Sequence, residues 1–175
     1  KMARASTKLE EKNDYYQQAE EVYRHLRKVT EAQGLFETAG TFFQREMVMR
    51  RYQMPQYSLG RAVSKMVDIF CGYGEQPFRV IAFSVLAIFI FASIYFFSGI
   101  IESGQLIQYN SSNTPYGNAV DFLKCWYFSV VTFTTLGYGD LAPAGITRFF
   151  AASEAFVGSF TLALFVVVFV KKMTR

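Results

Sequence analysis

Histidine and cysteine are nearly missing from this chain, with one His and two Cys among 175 residues. His25 stands alone in a charged stretch, and Cys71 and Cys125 lie far apart with no metal-ligand spacing around them. No cluster of His, Cys or carboxylates marks a reaction centre, so an enzyme is not expected. The net charge of +4 comes without a continuous basic stripe carrying aromatics, so nucleic acid is not an expected partner either. No arginine-rich span is present, so strong voltage sensing by that route is not expected. Residues 1–77 contain no nucleotide-binding or calcium-binding motif. Beyond about residue 77 charge of either sign becomes scarce, and what remains is apolar.

Two stretches set the class. Val80 to Ile101 carries no charge, and Phe149 to Val170 carries only Glu154. As helices at about 1.5 Å per residue, each would reach roughly 33 Å, the thickness of a bilayer core. The first begins too far from the N-terminus to be a signal peptide and the second lies close to the end. Arg50, Arg51, Arg61, Lys65 and Arg79 precede the first span, and Lys171, Lys172 and Arg175 follow the second. The segment 102–148 between them holds only Lys124 and Arg148, so both termini are expected on the cytoplasmic side. A chain that opens on Lys1 and stops soon after the second span is expected to be a piece of something longer.

The charged part reads as helical. Tyr16, Ala19, Tyr23, Leu26 and Thr30 recur at steps of three and four within 6–33, and a second pattern from about Leu35 to Tyr52 follows Gly34. Residues 1–54 are therefore expected to form a cytoplasmic helical hairpin, one unit that cannot bury its own face well and that invites an unidentified partner. In 55–77, Leu59, Ala62, Val63, Met66, Val67 and Phe70 form an apolar stripe with Arg61, Ser64, Lys65 and Asp68 opposite. That is an amphipathic helix suited to the inner membrane interface, closed by a Gly-rich turn at Gly72-Tyr73-Gly74.

Between the spans, 102–117 is polar and turn-rich. Asn118 is expected to cap a helix, with Asp121 answering it, and an apolar aromatic run from Ala119 to Phe133 is too short to cross a bilayer. A buried or re-entrant helix is the natural reading. It runs into Thr134-Thr135-Leu136-Gly137-Tyr138-Gly139-Asp140, irregular backbone that survives at membrane depth only if buried in protein or lining a water-filled path. Glycines on both sides of a tyrosine allow alternating backbone conformations, so successive carbonyls can turn toward one axis and replace a cation's hydration shell. One chain cannot enclose such a path. Gly72-Tyr73-Gly74 lacks the threonines and the preceding helix, and is read as a turn.

Residues 126–140 resemble the pore helix and filter of potassium channels, whose signature is usually written T-V-G-Y-G, and the resemblance extends over about 78–172, as in members with two transmembrane helices. It implies an all-α membrane protein, a homotetramer in the lipid bilayer of a plasma (inner) membrane, with the first transmembrane helix at 80–101, the pore helix at 119–133, the filter at 134–140 and the second transmembrane helix at 149–170. Carried over, Thr135, Leu136, Gly137 and Tyr138 would coordinate permeant K⁺, Gly139 would end the filter, and Thr134, Asp140, Tyr127 and Val131 would support it. Leu136 stands where valine or isoleucine is commoner, and Val131 where some relatives carry a glutamate paired with the filter aspartate. Tyr127-Phe128 replaces a pair of tryptophans, and Tyr127 is expected to brace the filter through its hydroxyl.

In the second span Gly158 falls where relatives often place a hinge, and it equally suits close helix contact. Ser159, Leu162 and Val166 are candidates for the cavity face, with Val170 and Thr174 nearer the entrance. Glu154, the one ionisable group in the span, is a functional candidate by default: a brace to Ser129 or Thr132, or a source of negative potential near the filter. The function expected is K⁺-selective conduction. The alternatives are a weakly selective cation channel and a two-span sensor or scaffold.

Overall fold

The computed structural model describes residues 2–173, with side chains from residue 11 onward. Thr174 and Arg175 lie outside the described residues. The chain divides into two compact units, Lys1–Arg79 with Val167–Arg175, and Val80–Val166.

In the first unit, α1 (Met2–Ala32) and α2 (Phe36–Gln53) form the hairpin. Gly34 turns the chain at φ 76°, and the Leu35 N–H donates to the Thr30 carbonyl at 2.9 Å. Tyr16 stacks on Tyr52 and Tyr23 on Phe42, as the spacing of three and four predicts. Leu26 departs from the expected face. It is exposed, and Arg27 turns inward to pair with the buried Glu46, which also pairs with Arg24. Charged pairs thus take places that an apolar hairpin core would fill.

α3 (Leu59–Cys71) presents most of its stripe outward, with Leu59, Ala62, Val63, Met66 and Val67 exposed and Phe70 half-buried. Its polar side faces the protein instead. Asp68 pairs with Arg51 at 2.8 Å, and the Tyr73 hydroxyl meets Ser64 at 2.7 Å and accepts from Arg51 at 3.2 Å. The Gly72–Gly74 turn is thus a 3₁₀ element that delivers Tyr73 to α3, consistent with its reading as a turn. Replacing Asp68 with alanine leaves Arg51 largely enclosed without a carboxylate, keeping only the Tyr73 hydroxyl and the Tyr52 ring as neighbours. A loss of about 1–3 kcal/mol is expected, read as a lower thermal midpoint in a circular-dichroism melt of the detergent-solubilised chain.

The final turn of the last helix also belongs to this unit. Lys171 Nζ lies 2.6 Å from Glu75 Oε1 and over the Phe43 ring at 5.2 Å, and Lys172 approaches Glu37 at 3.5 Å.

In the second unit the first apolar helix, α4 (Pro77–Ser98), starts and ends three residues earlier than the expected 80–101. Proline suits a helix's first turn, and Gly99 at φ 92° ends the helix with its N–H on the Tyr95 carbonyl. Ile100–Glu102 leaves the helix as strand β1. It pairs antiparallel with β2 (Gln105–Ile107) and β3 (Leu141–Pro143), so the fold is helical with a small three-stranded sheet rather than all-α. Three residues per strand leave too short an apolar pattern to be read from sequence.

α5 (Pro115–Phe133) begins four residues before the expected 119. Thr114, not Asn118, is the cap: it accepts from the Gly117 N–H at 3.1 Å, with Pro115 next in line. Asn118 instead donates to the Asn110 carbonyl at 3.0 Å, and Asp121 accepts from Asn113. α6 (Thr147–Met173) extends beyond the expected 149–170 at both ends. Tyr95, Ile100, Cys125, Phe128, Leu141 and Ala151 bring α4, the sheet, α5 and α6 into one core. α4 and α6 are each long and apolar enough to cross a membrane. Much of their apolar surface, including Phe89, Ile90, Phe156 and Phe160, is exposed in the single chain, as expected for helices solvated by lipid or by other subunits.

Candidate functional site

The segment from Thr134 to Asp140 is suspended between two fixed ends. At its start, the last turn of α5 folds over it: the Thr135 N–H donates to the Thr132 carbonyl and the Leu136 N–H to the Val131 carbonyl, both at 3.0 Å. The Thr134 hydroxyl donates back to Val130 at 2.7 Å. At its far end Leu141 enters β3 opposite Glu102 of β1, and Lys124 of α5 holds Glu102 by an ion pair of 2.6 Å.

Between those ends the backbone alternates. Thr135, Gly137 and Gly139 have φ of 58°, 59° and 80°, while Leu136 and Tyr138 do not share the positive sign. Left-handed conformation at every second residue turns neighbouring carbonyls to a common side, which an ordinary strand cannot do. Glycine meets that demand at two positions. Thr135 is β-branched and resists it, so its conformation is held by the α5 bonds around it. Leu136 and Tyr138 are 58% and 66% exposed in the single chain, so the protomer alone does not cover them.

The expected supports are placed as follows. Val131 is buried, and its contribution is the carbonyl that accepts from Leu136. Tyr127 is half exposed on α5, and interaction with the Asp140 carboxylate raises its phenol above the ordinary value. The Thr135 hydroxyl donates to the Thr134 carbonyl at 2.7 Å, leaving its oxygen lone pairs free.

The five positions singled out on α6 separate into two faces. Glu154 and Gly158 lie on the buried side, together with Ala151 and Thr161. Ser159, Leu162 and Val166 lie on the exposed side. A Cβ placed on Gly158 would collide with the Phe133 carbonyl, so glycine is what lets α6 approach the end of α5. Glu154 meets Ser129, one of its two expected partners, and it also meets Tyr95 of α4. Tyr95 was not singled out from sequence. Its signal was the single tyrosine in an uncharged run rich in Phe, since a buried tyrosine needs a partner for its O–H. Among the described residues, no group of three or more His, Cys, Asp or Glu is placed to hold a metal ion.

These features agree with what the chain resembles. A family model described as "Ion channel" matches residues 83–175. Over 98 residues, 53% of this chain, it is 35% identical to a protein of Oryza sativa subsp. japonica named "Two pore potassium channel b". The match spans 25% of that relative's length. No solved structure matches the chain. With more than half of its residues matched and two helices able to cross a membrane, the chain belongs to the ion channel family and is an integral membrane protein.

Proposed function

We propose that this chain supplies the pore of a K⁺-selective channel assembled from four copies, conducting K⁺ passively down its gradient. The observation that carries the reading is the alternation of φ at Thr135, Gly137 and Gly139. Repeated about a fourfold axis, carbonyls of Thr135, Leu136, Gly137 and Tyr138 form stacked oxygen rings, with the Thr135 hydroxyl below them. Each ring offers the coordination that water gives K⁺ in solution, and ions on alternate rings drive one another onward. Gly139 ends the filter and Asp140, braced by Tyr127, holds its mouth.

In this reading α5 is re-entrant, and its C-terminal dipole end favours a cation in the cavity below. Ser159, Leu162 and Val166 line that cavity or its approach. Both termini are cytoplasmic, in a plasma (inner) membrane, and the apolar stripe of α3 rests in the inner leaflet's interface with 1–54 beneath it. The name of the rice relative supports potassium as the ion.

Reversal potentials of the purified protein in planar bilayers, with K⁺ on one side and Na⁺ on the other, test the proposal. A large shift toward the K⁺ equilibrium potential is expected. A reversal near zero would leave a weakly selective cation channel, and no current at all would return attention to a sensor or scaffold.

A further inference from the structure

The region behind the filter holds a buried polar cluster that carbonyl coordination does not use. Tyr95, Ser129 and Glu154 are each 0% exposed, and they come from α4, α5 and α6 respectively. The Tyr95 hydroxyl donates to Glu154 Oε2, and Ser129 Oγ meets the other carboxyl oxygen, Oε1. Ser129 Oγ also lies 2.9 Å from the Ile88 carbonyl of α4. A polar cluster in a membrane core is expensive to keep unless all its members are satisfied, and here each has a partner.

Its position gives it leverage. Ser129 lies four residues before Phe133, and Glu154 lies four residues before Gly158. The two helices therefore touch at Ser129–Glu154 and again, one turn on, at Phe133–Gly158. Two contacts a turn apart fix how far α5 slides along α6, and the chain leaves α5 directly into Thr134 and Thr135. A shift of that end carries the first oxygen ring with it.

Proton counting separates two roles for Glu154. Ser129 has one hydroxyl proton and two acceptors, the Ile88 carbonyl and Glu154 Oε1. When Ile88 takes it, the contact with Oε1 is made by a proton on the carboxyl. A neutral carboxyl can hold the cluster together, whereas it adds no negative potential for a passing cation.

We infer that Tyr95, Glu154 and Ser129 act as a positioning unit that sets the height of the pore-helix end, so that the filter's discrimination among cations depends on hydrogen bonding at Glu154 and not on its charge. This rests on the K⁺-channel reading above and adds to it the residues that tune the site.

The test measures the K⁺/Na⁺ permeability ratio and the unitary conductance of the assembled channel for wild type, Tyr95→Phe, Ser129→Ala, Glu154→Gln and Glu154→Leu. Tyr95→Phe and Ser129→Ala should lower the ratio about tenfold or more, and Glu154→Leu further still. Glu154→Gln, which keeps a donor and an acceptor, should hold both ratio and conductance within about twofold of wild type. Tyr95→Phe removes a single oxygen, so it remains informative if Glu154→Leu fails to assemble. A wild-type ratio in both Tyr95→Phe and Ser129→Ala would overturn the positioning role while leaving K⁺ selectivity intact. A several-fold loss of conductance in Glu154→Gln at an unchanged ratio would show that the charge matters instead. A wild-type channel without discrimination would overturn both readings together.

Discussion

Alanine at Gly137 is expected to reduce K⁺ flux by about two orders of magnitude or more, measured as K⁺ release from proteoliposomes. The cause is backbone and not space, because a Cβ built there has nothing within 4 Å in the protomer. At φ 59° an L-residue pays about 1–2 kcal/mol to stay left-handed, and a chain that relaxes toward negative φ swings the adjoining carbonyls off their common side. In the proposed four-chain ring that loss is met four times at one level. The core that joins α4, α5 and α6 contains no residue of this segment, so the variant should assemble with an unchanged elution profile. Alanine at Gly74, in the other Gly-Tyr-Gly, is the control. Its φ of 82° is equally left-handed, yet it sits in a turn beside α3, and flux should persist. Undiminished flux through Gly137→Ala would place the ion path elsewhere.

The second large effect is expected at Gly158, and there the loss is of the folded protein. A methyl group on that residue meets the Phe133 carbonyl, and backbone cannot swing aside as a long side chain can. Overpacking typically costs about 1–3 kcal/mol, and a collision with main chain at a helix crossing belongs at or above the top of that range. Gly158→Ala should therefore show a sharply reduced yield of assembled protein and a thermal midpoint lowered by several degrees. Ser159→Ala, next to it on the exposed face, should melt within about 0.5 kcal/mol of wild type. A Gly158→Ala protein of normal stability would mean that α5 and α6 are not pressed together there.

The long elements are written in composition and periodicity. The two spans, the hairpin and the α3 stripe each rest on a long run of consistent pattern; the structure moved their ends and, in the hairpin, turned Leu26 outward and Arg27 inward. Those ends moved for local reasons that pattern cannot rank. Thr114 and Asn118 are both good caps, and Pro115 favours the earlier one. The sheet was invisible because strands of three residues carry no usable alternation, and it forms only because α4 stops at Gly99 and returns Ile100–Glu102 toward Leu141–Pro143. The left-handed glycines were legible, but Thr135 was not, since a β-branched residue is the last one propensity would place at positive φ. Glu154 declared itself by its charge, and Ser129 by its spacing. Tyr95 did not, because among so many phenylalanines its one oxygen changes hydropathy very little.

The clasp on Lys171 has a mechanical meaning. Glu75 and Lys171 are 96 residues apart along the chain, yet an ion pair and the Phe43 ring join them, with Glu37 reaching the next lysine. Side chains thereby make a short circuit between the amphipathic segment, the hairpin and the tail of α6. A load applied to α2 reaches that tail without first travelling the length of the polypeptide, and the weakest member of the linkage, the exposed Lys172–Glu37 pair, is the one that salt would slacken first.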